Sequence, residues 1–578
     1  MARDGHTNYW TELTARRLAR RRVLAAGGAG AFGAALVACG AKPQAGAPAG
    51  QSANQGAPGG GTPQSGGTYT YYTMSNPRLD PQKESAGSQQ YVSGVYSRLF
   101  RFKTGPDPKT FTDHDLENDL GISAESPDAI TWTVKMRPDA KYHNIAPVNG
   151  HAVEAEDVRA TFTRVFDAAT ASPNRGSLDM IDLNQITTPD KQTVVFKLKY
   201  PYAPFKKTLG APAYSWIYPR EVLGGGYDPA KTVIGSGPFT IDSIAPDVAY
   251  TYKRNPDWFD KPRPYIDTLK IAVIADASRQ QAEFAAGHLD ELIIENPFDL
   301  DAVKQQSPQA TMLQCPDGRP FPIYLQLSDP GSPFQDIRVR RAASMAIDRE
   351  ALSKIIYNGQ GVSTLFVPAS MGKWSQVVGQ LDPSVAQWYK FNPSEAKKML
   401  DAAGQSNLAL QFAYISPGPF TTPPYVKMGE TISNMWNQAG IKTNIVQQDY
   451  NKDYIDAGKG SRAGYFDKNM VIYSGIASYT EADEFLYINF HSKSTNNDEQ
   501  LKDPKLDAMI DKERTIVDEN ERLKAVQEIE KYIADQAWLI PTQGSFRFAF
   551  LQPRVQNYSY TDTLGRHTEN YSKVWLKS

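Results

Sequence analysis

The sequence predicts an α/β protein built as more than one folded unit, and three observations carry that expectation. The chain is 578 residues long, which suits two or three units. From Gly235 onward, segments with strand periodicity alternate with segments of helical periodicity, the pattern of open sheets covered by helices. Before that point the chain reads as a self-contained module. The two parts meet at Ile234-Gly235-Ser236-Gly237-Pro238-Phe239, followed by Arg254-Asn255-Pro256-Asp257-Trp258-Phe259. Two glycines around a serine, closed by a proline, suit a tight turn whose amides face a cleft, or an ordinary turn feeding a strand.

Order is expected to begin at Gly67-Thr68-Tyr69-Thr70-Tyr71-Tyr72, a strand leading to the turn Leu79-Asp80-Pro81-Gln82. Tyr91 to Phe102 carries Val92, Val95, Tyr96 and Leu99 at helical spacing. Trp132, Val134 and Met136 alternate as a half-buried strand, and Val194, Phe196 and Leu198 do so after the Pro189-Asp190 turn. Between them Ala155, Val158, Phe162, Val165 and Phe166 share one helix face. Glu154, Glu156 and Asp157 fall in that helix's first turn, where its dipole favours negative charge, so the acid cluster reads as helix electrostatics rather than a metal site.

Past Gly235, Ile271, Val273 and Ile274 read as a strand, Ser278 to Gly287 as a short helix and Leu289 to Ile294 as the next strand. Ile323, Leu325 and Leu327 alternate. Val339, Ala342, Ala343, Ala346 and Ile347 make a helix face, and Asp348 caps a restart carrying Leu352, Ile355 and Ile356. Asn392-Pro393-Ser394-Glu395 is a helix start with its cap, first-turn proline and acid in place. Ala396, Met399, Leu400 and Ala403 form its buried stripe, and Gly404 ends it. Met428, Ile432, Met435, Trp436 and Ala439 form another, ended by Gly440. Ile441, Thr443 and Ile445 alternate as the strand that follows. Leu523, Val526, Ile529 and Ile533 form a last amphipathic helix.

The N-terminus reads as an export address over residues 1–39. Arg16, Arg17, Arg20, Arg21 and Arg22 precede Val23 to Ala38, an apolar run of sixteen residues, short for a membrane span. Arg20-Arg21-Arg22-Val23-Leu24 fits a twin-arginine pattern, with an ordinary secretory signal as the alternative. Leu36-Val37-Ala38-Cys39 resembles a lipoprotein processing box, in which the Cys39 sulfur takes the lipid. Residues 40–66 are Ala, Gly, Pro, Gln and Ser with almost no charge, a tether with a reach of about 30 Å. With Cys39 lipidated, the only other cysteine, Cys315, is expected to be a packed side chain in a fold without disulfides.

A net charge of −1 gives no sign of a nucleic-acid partner. Aromatic residues are 11% of the chain, including 30 Tyr and 9 Trp, enough for a large core and for an aromatic-lined cleft alike. Enzyme motifs are weak. Gly28, Gly30 and Gly33 match a dinucleotide pattern but lie inside the export signal with no strand before them. The seven histidines show no metal-ligand spacing, and His143 and His151 read as surface residues around a loop. Ser394 and Lys397 match one element of the penicillin-binding-protein set but lie on the exposed side of a helix with no partner motifs. No cofactor or metal is expected.

Several stretches, in order, carry a likeness. They are Leu79-Asp80-Pro81, Tyr96-x-x-Leu99-x-Arg101-Phe102, and Trp132 to Pro138 followed by Lys141-Tyr142-His143. Ala155-Glu156-Asp157-Val158, Gly235 to Phe239 and Arg254-Asn255-Pro256 continue it. Asp336-Ile337-Arg338-Val339-Arg340, Ala346 to Glu350 and Tyr473 to Phe490 complete it. Together they resemble the extracytoplasmic solute-binding proteins of peptide-type ABC importers, family 5, from about Gly67 to about Tyr558. The resemblance implies a two-lobed periplasmic-binding-protein clamshell of class II type with an additional α+β domain. Lobe I would comprise residues 67–103, 227–329 and 542–578, the extra domain 104–226, and lobe III 330–541. Solute is enclosed as the lobes close about their crossover strands.

The resemblance also implies a site. Ser85, Ala86, Gly87 and Ser88 would face the ligand from lobe I, and Ser474, Gly475, Ile476, Ala477, Ser478 and Tyr479 from lobe III. Peptide-binding members hold the ligand mostly through its backbone, pairing its amides and carbonyls in a closed cleft. This chain departs from them: the aspartate that commonly meets the ligand ammonium is Ser478 here, and the tryptophan nearby is Gly475. Glu481 and Asp483 are candidate charge anchors in its place, with a solvated loop as the alternative. Otherwise the ligand lacks a free amine, because a buried unpaired ammonium is strongly unfavourable. The expected partners are a peptide or other small solute, ABC importer permease subunits and the membrane through Cys39, with no nucleic acid and a monomeric chain. The leading reading is a receptor that delivers solute; a sensory lipoprotein of the same fold and a cell-surface hydrolase are the alternatives.

Overall fold

A computed structural model describes residues 61–76, 78–83, 89–104, 115–212, 214–317, 319–416, 423–454, 460–461, 464–476, 479–494, 497, 499–544, 546–559 and 570–578. The export signal with its glycine pattern, Cys39, and residues 40–60 of the tether lie outside them, as do Ser85, Ala86, Gly87, Ser88, Ala477 and Ser478.

One lobe gathers strands from distant parts of the chain. In Thr68–Thr73, Tyr69 and Tyr71 share one face and are buried, as the two-residue period of a strand requires. This strand pairs in parallel with Thr268–Val273, which runs antiparallel to Ala249–Arg254, and Phe239–Ala245 completes a four-stranded sheet. A second sheet has Phe546–Leu551 at its centre, antiparallel to Glu291–Ile294 on one side and Thr311–Pro316 on the other. Cys315 is a buried member of this lobe's core. The buried Glu291 carboxyl ties the pieces together, accepting from Tyr69 Oη at 2.6 Å and Tyr558 Oη at 2.8 Å. Ordered packing starts slightly earlier than the sequence suggests: Gly66 N–H donates to the Tyr265 carbonyl at 2.8 Å, within the stretch expected to be tether.

A separate antiparallel sheet of Gly121–Glu125, Thr131–Met136, Thr193–Leu198 and Ile181–Asp190 is covered by helix Ala155–Phe166. The helix begins with a capping box between Glu154 and Asp157, so the acid cluster does serve the helix start. Asp157 also accepts from Arg220 Nε at 2.9 Å. Leu79 to Gln82 is more than a turn, because Asp80 is buried and paired with Arg164 Nη2 at 2.5 Å.

The other lobe is a five-stranded mixed sheet in the order Lys442–Gln448, Ala409–Ile415, Met470–Tyr473, Ile323–Leu325, Leu539–Ile540. Its helices start where the sequence places caps. Asp348 accepts from Ala351 N at 2.8 Å and Asn392 from Glu395 N at 3.1 Å. Gly404 and Gly440 follow their helices at φ +73° and +92°, a region that favours glycine.

Two expectations fail at one place. The spacing in Tyr91 to Phe102 predicts a helix, but the helix is only Gln89–Val92. Val92, Val95, Tyr96 and Leu99 are all buried nonetheless, worth about 1.5–3 kcal/mol for each large apolar side chain. The backbone turns instead to serve the Gly235 junction, where Gly237 N donates to Val95 O and Phe239 N to Gly94 O, each at 2.8 Å. His143, expected at the surface, is buried in that junction. Its backbone N–H donates to Gly235 O at 2.8 Å, and its Nε2 lies 3.1 Å from Gly237 O. Ser236 is fully buried, so these amides do not face a cleft. Asn255 explains why the second motif accompanies the first: its side-chain amide donates to Gly237 O at 3.0 Å and its backbone N–H to Pro238 O at 2.7 Å.

Candidate functional site

The lobes are joined by two neighbouring connections, from Pro316 to Ile323 and from Ile540 to Phe546. They are tied to each other and to the strands they leave. Thr542 Oγ1 donates to the Phe321 carbonyl. Arg547, almost fully buried, places Nε 3.2 Å from Asp317 Oδ2 and Nη1 2.8 Å from Glu295 Oε1. Beside these connections lies a recess of about 20 Å³, lined by Arg319, Phe321, Ile476, Thr542 and Gln543 among others, which is room for a water-sized group.

The expected lobe III segment forms part of this wall. Ile476 lines the recess, and its N–H donates to Pro320 O at 2.9 Å. Gly475 lies against Phe321: a Cβ there would sit 2.9 Å from the ring. Phe321 thus fills the space a side chain at 475 would take, and the aromatic surface comes from the crossover instead. Ser474 is buried and donates through Oγ to Tyr454 Oη at 2.6 Å, so its hydroxyl is held inside the wall. Tyr479 is half-buried, its ring edge-on to Phe485 at 4.9 Å. Arg319, Phe321, Thr542 and Gln543 were not singled out by the sequence; their only signal is the Asp317-Gly318-Arg319-Pro320 break between two strand patterns.

Glu481 and Asp483 do not lie in a solvated loop. Both are buried at the start of helix Ala482–Phe490. Glu481 Oε1 lies 2.7 Å from Arg522 Nη1, its Oε2 3.4 Å from Lys207 Nζ, and Asp483 Oδ1 3.3 Å from Arg514 Nε. Burial opposes charge on Glu481, but Arg522 and Lys207 outweigh it and hold its carboxyl at about 2. Both acids are therefore neutralised from within the protein, which disfavours them as anchors for a ligand ammonium. They serve a contact between the lobe and the antiparallel module. Tyr214 Oη donates to Glu484 Oε1 at 2.9 Å, Ala203 N to Arg514 O at 2.7 Å, and Arg514 lies over the rings of Tyr200, Tyr202 and Tyr487.

Three buried carboxyls make stability depend on pH. Burial pushes Glu291, Glu484 and Glu530 up to about 7. Each binds its proton more tightly in the folded state, so its contribution is fully present below the unfolded value and is lost as pH rises through about 7. The effect is at most about 3 kcal/mol per group. Glu481 acts in the opposite sense, but only as pH falls below the ordinary glutamate range. The melting temperature is expected to be higher at pH 5.5 than at pH 8, with Glu484→Gln removing part of the difference. A flat melting profile across that range contradicts this.

Two sheet-bearing lobes joined by paired crossovers, with a recess at the joint, define a two-lobed binding protein. The family model for the middle region of bacterial extracellular solute-binding proteins, family 5, matches residues 115–497, and the chain belongs to that family. It is a binding protein and not an enzyme. Heme-binding protein A of Haemophilus influenzae is 26% identical over 521 residues, covering 86% of this chain and 90% of that protein. Di/tripeptide-binding protein 2 of Pseudomonas aeruginosa is 25% identical over 469 residues, covering 78% and 84%. The solved structure of HbpA2 from Haemophilus parasuis superposes with a TM-score of 0.74 at 25% identity, covering 89% of this chain and 100% of that one. Among the described residues no helix is long and apolar enough to cross a membrane.

Proposed function

We propose that this protein is a lipid-anchored extracytoplasmic receptor that encloses a peptide or peptide-like solute between its lobes and delivers it to an ABC importer. The observation that carries this reading is the joining of two sheet-bearing lobes by paired crossovers, where the lobe III segment carrying Ile476 bonds to Pro320. Family membership supports the importer partner, and relatives named for di- and tripeptides support the solute class. Residues 67–103, 227–329 and 542–578 are assigned to lobe I, 104–226 to the extra domain and 330–541 to lobe III. By resemblance, Ser85, Ala86, Gly87 and Ser88 are assigned to the ligand from lobe I, and Ala477 and Ser478 from lobe III. Cys39 would carry the lipid after export, residues beyond it would act as the tether, and the chain would work as a monomer.

A second reading, a solute without a free amine or a non-peptide solute, is favoured by one observation. Glu481 and Asp483 are already occupied by Arg522, Lys207 and Arg514. Native mass spectrometry of protein purified without refolding would identify a retained solute. The right solute at a hundredfold excess over its Kd should stabilise the protein by about 2.7 kcal/mol, read as a rise in melting temperature. Turnover of peptides without stoichiometric binding would overturn the receptor reading.

A further inference from the structure

The antiparallel module is fastened to the first lobe but only rests on the other. Its apolar core takes in Leu99, Phe100 and Ile234 of the flanking chain, and its Arg164 pairs with the buried Asp80. Among the described residues no apolar core joins it to the lobe that contains Met470–Tyr473. That contact is polar instead. Lys207 Nζ lies 3.4 Å from Glu481, Tyr214 Oη 2.9 Å from Glu484 and Ala203 N 2.7 Å from Arg514 O, with Arg514 over the rings of Tyr200 and Tyr202. Parting an apolar core exposes it to water, whereas a polar contact exchanges its partners for water at a small net cost. When the lobes part about their crossovers, the module therefore travels with the first lobe, and this contact is the one that opens.

Charge does not balance at this contact. Glu481, Asp483, Glu484 and Glu513 are all buried. Three cations meet them, Lys207 and Arg522 at Glu481, Arg522 again at Glu513, and Arg514 at Asp483. Among the described residues no cation pairs with Glu484. Its carboxyl meets Tyr214 Oη from the module and the Thr480 N–H at 3.2 Å, with Glu481 and Asp483 adding negative charge nearby. A buried carboxylate without a cation is unfavourable, and a proton relieves it. We propose that this contact is a proton-operated clasp: closing the lobes buries Glu484 against Tyr214 and takes up a proton from solvent, so acid holds the protein closed and a rise in pH releases it. This rests on the receptor reading and adds a control to it, because a solute enclosed by closure is then held less tightly as pH rises. Burial pushes Glu484 up to about 7, and opening returns it to water. The closed form thus binds this proton more tightly, and its advantage is full below the ordinary glutamate range and lost as pH rises through about 7. Asp483 and Glu513 keep Arg514 and Arg522 in both forms, since all four belong to one lobe. Glu481 loses only Lys207 on opening, and its carboxyl, held at about 2, titrates far below this range. Glu291 and Glu530 also titrate near 7 but bond within single lobes, to Tyr69 and Tyr558 and to the N–H groups of Phe366 and Val367, so closure does not move them.

Small-angle scattering of the unliganded folded chain reads closure without a solute. The radius of gyration is expected to be smaller at pH 5.5 than at pH 8. In Glu484→Gln it should keep the compact value at both, because glutamine retains the acceptor and needs no proton. Should that variant fail to fold, Tyr214→Phe removes the module's half of the contact and should give the expanded value at pH 5.5 as well. Trialanine, titrated calorimetrically, should bind the native protein about tenfold or more tighter at pH 5.5 than at pH 8, with the difference lost in Glu484→Gln. A radius of gyration or a trialanine affinity that is equal at the two pH values, or a difference that survives in Glu484→Gln, overturns the clasp and leaves the receptor reading intact. The expected change in radius without any binding of trialanine supports the clasp and counts against the peptide reading alone.

Discussion

Arg522→Ala is expected to destabilise the protein by about 3–5 kcal/mol, the range for removing one partner of a buried ion pair. Arg522 is 5% exposed and holds two carboxylates through one nitrogen, Glu481 at 2.7 Å and Glu513 at 3.0 Å. Those acids are themselves 3% and 0% exposed, and the guanidinium lies 4.4 Å over the Trp374 ring. Alanine would leave Glu481 with Lys207 alone at 3.4 Å and Glu513 with no cation among the described residues. Burial already pushes Glu513 well above the ordinary carboxyl range, with Asp483 adding to it. Without Arg522, Glu513 should rise further and Glu481 should climb from its lowered value, so acidification can relieve the mutant by protonating them. The loss is therefore expected to be larger at pH 8 than at pH 5.5, a dependence that simple loss of packing around Trp374 would not give. Chemical denaturation of the variant and the native protein at both pH values checks this; a loss below 1 kcal/mol at pH 8 contradicts it. Because Glu481 also faces Lys207 from the antiparallel module, the same change should loosen the contact between that module and the lobe.

How much of this was legible in the sequence varied with the range of the forces involved. Helix starts at Asp348 and Asn392, and stops at Gly404 and Gly440, are local events set by caps and backbone freedom, and they lie where the sequence puts them. Strand alternation at Trp132, Val134 and Met136 was equally readable, because burial there depends on the two-residue period. The clamshell came from resemblance, since no local signal says that Thr68–Thr73 pairs with Thr268–Val273. The failures all involve long-range partners. Val92 to Leu99 have helical spacing and are buried, yet Gly94 and Val95 give their carbonyls to a segment more than a hundred residues away. His143 precedes a loop with Pro147 and Gly150 and reads as exposed, but its ring closes that same junction. Glu481 and Asp483 look like a solvated acidic loop because Arg514, Arg522 and Lys207 are distant in sequence. Arg319 and Phe321 lie in a short break between strands, where composition says only that the chain turns.

Gly235→Ala is expected to destabilise the protein by about 3 kcal/mol or more, the upper range for overpacking. The reason is close approach rather than backbone conformation. A Cβ at 235 would lie 2.1 Å from the Val95 carbonyl oxygen, 2.7 Å from its carbon and 2.9 Å from Tyr96 Cα, all of them backbone atoms that cannot rotate away. Gly237 is held the same way, 2.6 Å from Val95 O. Relief would require parting the segment around Val95 from the strand that begins at Phe239, with loss of the bonds from Gly237 N and Phe239 N. His143 would be disturbed with them. Burial lowers its imidazole to about 4, so it is neutral at physiological pH. One tautomer serves both neighbours, Nε2–H donating to Gly237 O at 3.1 Å and Nδ1 accepting from Gly235 N at 3.4 Å. Gly379→Ala is the matched control. Its Cβ would meet nothing within 4 Å, so its melting temperature should stay within the scatter of a surface substitution. A Gly235→Ala melting temperature as high as that of Gly379→Ala would mean that the Val95 backbone yields at little cost. The glycine–serine–glycine stretch would then be a turn the fold tolerates rather than the joint on which two chain segments close.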